Sequence, residues 1–127
     1  MKQTVAKVFG VVLVLVGLLG FFLPSSFGMA TTMLAGSFEV NLVHNLVHVL
    51  IGIWGLVASR TATGATAFCK QAGVLFLLLA ILGFVPSMVA LLANLVPIGG
   101  NDVYLHLVFA AILLYVGFSR ARTPAAG

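Results

Sequence analysis

The sequence predicts an all-α fold: an integral membrane four-helix bundle forming one domain over residues 1–127. Three observations lead there. Of the 127 residues, 62% are apolar and 6% charged, whereas a soluble domain carries roughly 25% charged side chains. That deficit leaves too little charge to cover a water-facing surface. Four apolar stretches, at about 5–23, 41–58, 73–96 and 103–118, each approach the ~20 residues that a membrane-crossing helix requires. They are continuously apolar rather than alternating, which selects helices over barrel strands.

In chain order, the first stretch ends at Pro24, Ser25 and Ser26, and the second stops at Ser59-Arg60. The third holds Pro86, which removes a backbone donor and predicts a kink, and it closes on Pro97 and Gly99-Gly100. The fourth stops at Ser119-Arg120. The second and fourth are short for ~30 Å of hydrocarbon, which implies little tilt or a locally thinned bilayer. Residues 25–40 fit an outer loop, an interfacial helix or a lid.

Charge sets the orientation. Lys2 and Lys7 precede the first span, Arg60 and Lys70 bracket the loop between the second and third, and Arg120 and Arg122 follow the fourth. A four-span thread puts all six on one side and the only acids, Glu39 and Asp102, on the other. By the positive-inside tendency both termini are cytoplasmic, in a multi-pass protein of the bacterial cytoplasmic membrane. The first stretch also has the outline of a signal peptide, with Gly28-Met29-Ala30 as a small-residue site. An internal repeat opposes that reading. A 63-residue shift lays Lys7, Gly10, Val11, Leu15, Leu19, Gly20 and Phe21 on identical residues of the third stretch, Lys70 to Phe84. The chain therefore reads as two repeated helical hairpins sharing one orientation, related by an axis along the membrane normal.

Hydrocarbon gives helices no hydrophobic reason to associate, so small residues must let them approach. Such stripes run through Gly10, Gly17 and Gly20; Gly52, Gly55 and Ser59; Gly73, Ala80, Gly83, Ser87 and Ala90; and Ala110 and Gly117.

Polar residues are few and gathered. His44 and His48 lie four apart on one helical face, with Asn41 and Asn45 close to it; Asp102 and His106 repeat the spacing. The topology collects all three histidines in the outer half of the bilayer, near Glu39, Asn94, Asn101 and Asp102. Intramembrane polar groups turn inward and pair, so one polar layer is expected. It can be structural, its members bonding one another. As a metal site, His44, His48 and His106 would supply three nitrogens to zinc or copper, with Asp102 or Glu39 as a fourth ligand or support. A bis-histidine haem is another option. In His44-Asn45-Leu46-Val47-His48, Asn45 replaces the glutamate that zinc proteases need as general base, so no hydrolase is expected.

Other chemistry is sparse. Cys69 is the only cysteine, beside Lys70, and reads as an idle thiol. No serine sits in a nucleophile elbow and no glycine loop cradles phosphate, so neither an enzyme nor a nucleotide-binding protein is expected. Six basic residues do not make a nucleic-acid surface.

The run from Glu39 to His48, followed by Gly52 and Gly55, resembles a bacterial family of small four-helix membrane proteins, domain of unknown function 4383. Its signature is close to N-x-x-H-N-x-x-H-x-x-x-G-x-x-G. Asn94 to Pro97 and Asn101 to His106 resemble later elements of the same family. The resemblance covers nearly the whole chain and implies the four-span fold; it attaches no activity. The expected function is therefore a non-enzymatic structural or accessory subunit, without a cofactor, acting through lateral helix packing. Its partners are the lipid bilayer and a homo-oligomer or larger membrane complex. The alternatives are an outward-facing metal-binding or haem-binding protein and a small ion or proton conductor.

Overall fold

The computed structural model describes residues 1–22 and 32–120. It is all-α apart from one small ribbon: α1 (Lys2–Gly20), β1 (Thr32–Leu34), β2 (Phe38–Val40), α2 (Leu42–Ala58), α3 (Ala62–Gly83), α4 (Pro86–Leu92) and α5 (Asp102–Phe118). Pro24, Ser25 and Ser26, the Gly28-Met29-Ala30 site and Arg122 lie outside the described residues. Two helices, α1 and α3, are long and apolar enough to cross a membrane; α2 and α5 are shorter apolar helices of 17 residues.

The third stretch differs from expectation at both ends. Its helix starts at Ala62, not near residue 73, because the Thr61 side chain caps it by accepting from the Gly64 N–H. The supposed loop from Arg60 to Lys70 is therefore mostly helix. At the other end Pro86 does more than kink. Val85 is extended and Pro86 opens a separate helix, α4, in the first-turn position where its missing N–H costs nothing. Ser87 and Ala90 are consequently exposed on α4 and extend no packing stripe. The described part of residues 25–40 forms a ribbon: β1 and β2 pair antiparallel across a turn in which Ala35 and Gly36 both have positive φ, 52° and 68°.

The long helices pack as two antiparallel pairs through the predicted small residues. A Cβ on Gly10 would meet the Leu56 backbone nitrogen at 2.7 Å and the Gly52 carbonyl at 2.8 Å. In the second pair, a Cβ on Gly73 would meet the Leu114 nitrogen at 3.1 Å, and one on Gly117 the Lys70 nitrogen at 3.0 Å. Between the pairs runs an apolar core centred on Phe68 and Phe76, with Leu13, Leu113 and the buried Cys69 around them.

The repeat is visible in this packing. Shifting by 63 carries Gly10 onto Gly73 and Gly20 onto Gly83; shifting by 58 carries their contacts, Leu56 and Asn45, onto Leu114 and Val103. The 58-residue shift takes every buried residue of α2 except Ile51 onto a buried residue of α5. Under it, His44 falls on Asp102 and His48 on His106. The two polar pairs thus occupy equivalent places in the two hairpins.

One end of the helices is basic. The Lys2 ammonium donates to the Gly117 carbonyl at 3.2 Å, the Gln3 amide to the Ser59 carbonyl at 3.1 Å, and the Lys70 ammonium lies 4.6 Å from the Phe118 ring centre. The first two contacts occupy carbonyls left open where helices end. The histidines lie toward the opposite end.

Candidate functional site

The site begins with the way α2 starts. Asn41 is fully buried and extended, its side-chain oxygen accepting from the His44 N–H at 2.9 Å, which makes it the helix N-cap. The same amide donates to the Leu95 carbonyl at 3.0 Å. One side chain therefore fixes both the first turn of α2 and the segment that follows α4. The N-cap also sets which way His44 and, one turn later, His48 point.

His44 and His48 stack edge to face with ring centres 4.3 Å apart. From α5, His106 comes close enough to interact electrostatically with both, and its ring centre lies 5.5 Å from that of Phe76 on α3. All three imidazoles, each more than nine-tenths buried, line one cavity of about 190 Å³. The rest of its wall is apolar. Ile51 and Phe76 form the sides, and the Val96-Pro97-Ile98 segment closes the end. The backbone of Pro97 hydrogen-bonds the His44 imidazole; proline has no N–H, so its carbonyl is the acceptor.

The remaining polar residues divide. Asn45 and Asp102 are buried, Asn45 over Gly20, where a Cβ would collide with the amide. Glu39, Asn94 and Asn101 are exposed and lie outside the buried layer. Glu39 points out of the ribbon. Asn94 follows the separate helix that Pro86 creates. Asn101 donates to the Ser37 carbonyl at 3.2 Å, tying the ribbon's turn to the start of α5.

The layer does not bond to itself as a structural network would. Among the described residues, Nδ1 of His44, His48 and His106, both side-chain polar atoms of Asn45, and Asp102 Oδ2 are buried with no hydrogen-bond partner. Such groups each cost roughly 1–3 kcal/mol, and native proteins keep few of them. Also among the described residues, no group of three or more His, Cys, Asp or Glu side chains is arranged to hold a metal ion. The spacing of the histidines pointed to this site; its apolar wall did not stand out. The one available signal was Val96-Pro97-Ile98, an apolar run where no helix continues.

The model of one protein family, described as a domain of unknown function (DUF4383), matches residues 3–119. The chain belongs to that family. In this DUF4383 member the run that carried the resemblance, Glu39 to His48 with Gly52 and Gly55, includes the Asn41 cap, the two imidazoles of His44 and His48, and Gly52 of the α1–α2 contact described above. No curated protein and no solved structure matches the chain.

Proposed function

We propose that this DUF4383 protein is a four-span integral protein of the bacterial cytoplasmic membrane, with both ends cytoplasmic. Its two repeated hairpins enclose a small ligand-binding chamber in the outer half of the bilayer. It is a non-enzymatic accessory component, acting by binding and by lateral contact with other membrane proteins or copies of itself.

The membrane reading rests on the exterior. Leu15, Leu19, Leu50, Leu91 and Tyr115 are all more than half exposed, and a water-facing protein rarely shows so continuous an apolar surface. At 1.5 Å per residue, α3 is about 33 Å long and α2 and α5 about 26 Å; bilayer thinning accommodates the shorter pair. In a Cys69→Ala background, a cysteine at exposed Ser37 should react with an impermeant thiol reagent in intact cells. One at Thr63 should react only after permeabilisation. Labelling of both from one side would contradict the threading.

One observation carries the binding reading: three buried imidazoles from two hairpins line one otherwise apolar cavity. A dry apolar cavity of about 150 Å³ takes up benzene. Benzene added to nanodisc-embedded protein should therefore shift the side-chain nitrogen resonances of His44, His48 and His106 together and saturably. No shift would refute the chamber.

The metal reading keeps support from the same unpartnered nitrogens and the four-residue spacing. Displacement of benzene by zinc would favour it. A haem is a poorer match, since the cavity lies below the ~300–1,000 Å³ of pockets that take larger ligands.

A further inference from the structure

We infer that the basic end of the helices carries a seat for the phosphate of an anionic phospholipid of the cytoplasmic leaflet; this rests on the threading proposed above. The helices end unevenly there. The last turn of α5 lies beside Lys70, since a Cβ on Gly117 would meet the Lys70 nitrogen at 3.0 Å. From Lys70, α3 runs back to Ala62, about 12 Å past that level. The first turn of α1 flanks the same gap, with the Lys2 ammonium reaching the Gly117 carbonyl. This step encloses a notch of about 800 Å³ whose polar lining comes from Lys2, Gln3, Thr66, Tyr115, Ser119 and Arg120.

Most of the neutral donors there are already engaged. The Gln3 amide donates to the Ser59 carbonyl, the Thr66 hydroxyl to the Ala62 carbonyl and the Ser119 hydroxyl to the Val116 carbonyl. The cations keep capacity. Lys2 uses one of the three donors of its ammonium on Gly117, which holds it at the notch. The Arg120 guanidinium adds a planar fork of donors, the geometry that grips phosphate oxygens in pairs. No acid of the chain answers them: Glu39 precedes α2 and Asp102 starts α5, both toward the opposite end. Two cations lining one cavity away from every carboxylate select an anion.

Position selects the kind of anion. Tyr115 lines the notch and is exposed, and Ile112 and Val108 continue its face of α5 and are exposed too. Tyrosines of membrane proteins gather at headgroup depth. The notch therefore opens where the phosphates of the leaflet lie, and the apolar stripe below it receives an acyl chain. A zwitterionic headgroup would bring a further cation to the two already present. Phosphatidylglycerol brings a phosphate and neutral hydroxyls.

The test uses the full chain with labelled arginine in phosphatidylcholine nanodiscs, in which phosphatidylglycerol is substituted stepwise. The Arg120 side-chain resonance, identified by its loss in Arg120→Gln, should shift and saturate. Arg60, exposed at the same end but outside the notch, should drift without a midpoint. Lys2→Gln should raise the Arg120 midpoint about tenfold, as for loss of one charge-assisted hydrogen bond. Lys7→Gln, which removes a charge outside the notch, should leave it in place, and Thr66→Trp, which fills the notch, should abolish saturation. Equal responses of Arg60 and Arg120, or a midpoint that Lys2→Gln leaves unmoved, would be diffuse attraction to a basic face and would overturn the proposal. Glycerol phosphate added to pure phosphatidylcholine discs should leave Arg120 unshifted; a saturable shift would mean that phosphate alone is recognised, and the lipid assignment falls. If phosphatidylglycerol gives no saturation while Ser37→Cys and Thr63→Cys label from opposite sides, the seat falls and the threading stands. If both cysteines label from one side, both readings fall.

Discussion

Replacing His48 with leucine should make the protein more stable, by about 1–2 kcal/mol, while weakening its ligand binding. The direction follows from hydrogen bonding. The His48 ring is buried with Nδ1 unpartnered, and leaving such a group unsatisfied costs about 1–3 kcal/mol. Leucine fills much of the same space without a polar atom. A residue retained for packing would behave oppositely, since deleting its contacts would lower stability. Thermal unfolding in detergent of His48→Leu, with His106→Leu as its repeat equivalent, separates the two cases. A loss of about 2 kcal/mol or more in both variants would mark the layer as structural. A gain together with weakened binding is the stability–function conflict expected of a site.

The largest destabilisation should come from Gly52→Val. A Cβ there would lie 2.7 Å from the Val14 backbone nitrogen and 2.8 Å from the Gly10 carbonyl. Main-chain atoms within α1 cannot move aside singly, so the two helices must separate along their contact. Overpacking a core typically costs about 1–3 kcal/mol; with backbone as the obstacle, a cost of about 3 kcal/mol or more is expected. The separation would also displace His48 and Asn45, one and two turns before Gly52, and so should weaken ligand uptake. Leu50→Val is the control. Leu50 is 65% exposed and the change should stay within about 0.5 kcal/mol. A Gly52→Val protein as stable as that control would show that α1 and α2 do not meet through their backbones.

Hydropathy made α1, α2 and α5 legible to within about three residues, because each is a continuous apolar run ended by Ser-Arg, proline or glycine. The first part of α3 was hidden for the converse reason. Residues 61–71 are rich in threonine and alanine and end in Cys69-Lys70-Gln71, which reads as polar loop. Helix propensity and the Thr61 cap decide there, and neither registers in hydropathy. Pro86 was recognised as a disturbance, but local sequence does not distinguish a kinked helix from a stop and restart. The ribbon escaped because three-residue strands are too short for two-residue alternation to show.

The site was legible along one helix and obscure between helices. Four-residue spacing paired His44 with His48 and Asp102 with His106, and the repeat visible in α1 and α3 foretold that the hairpins match. The second half of that repeat was not readable as identity, since α2 and α5 keep little beyond His48 and His106 in common. Burial shows it instead. Whether Glu39, Asn94 and Asn101 face inward depends on the ribbon and on the path after α4, which are long-range features. Their polarity alone suggested the layer; their exposure removes them from it.

Everything proposed for the site depends on His106 of the second hairpin meeting His44 and His48 of the first. The chain has three histidines, so magnetisation transfer among labelled imidazoles in nanodisc-embedded protein yields few, assignable cross-peaks. Peaks joining His106 to His44 and to His48, alongside the local His44–His48 peak, are the predicted result. A spectrum with the local peak alone would mean that the two hairpins do not bring their imidazoles together, and would contradict the account.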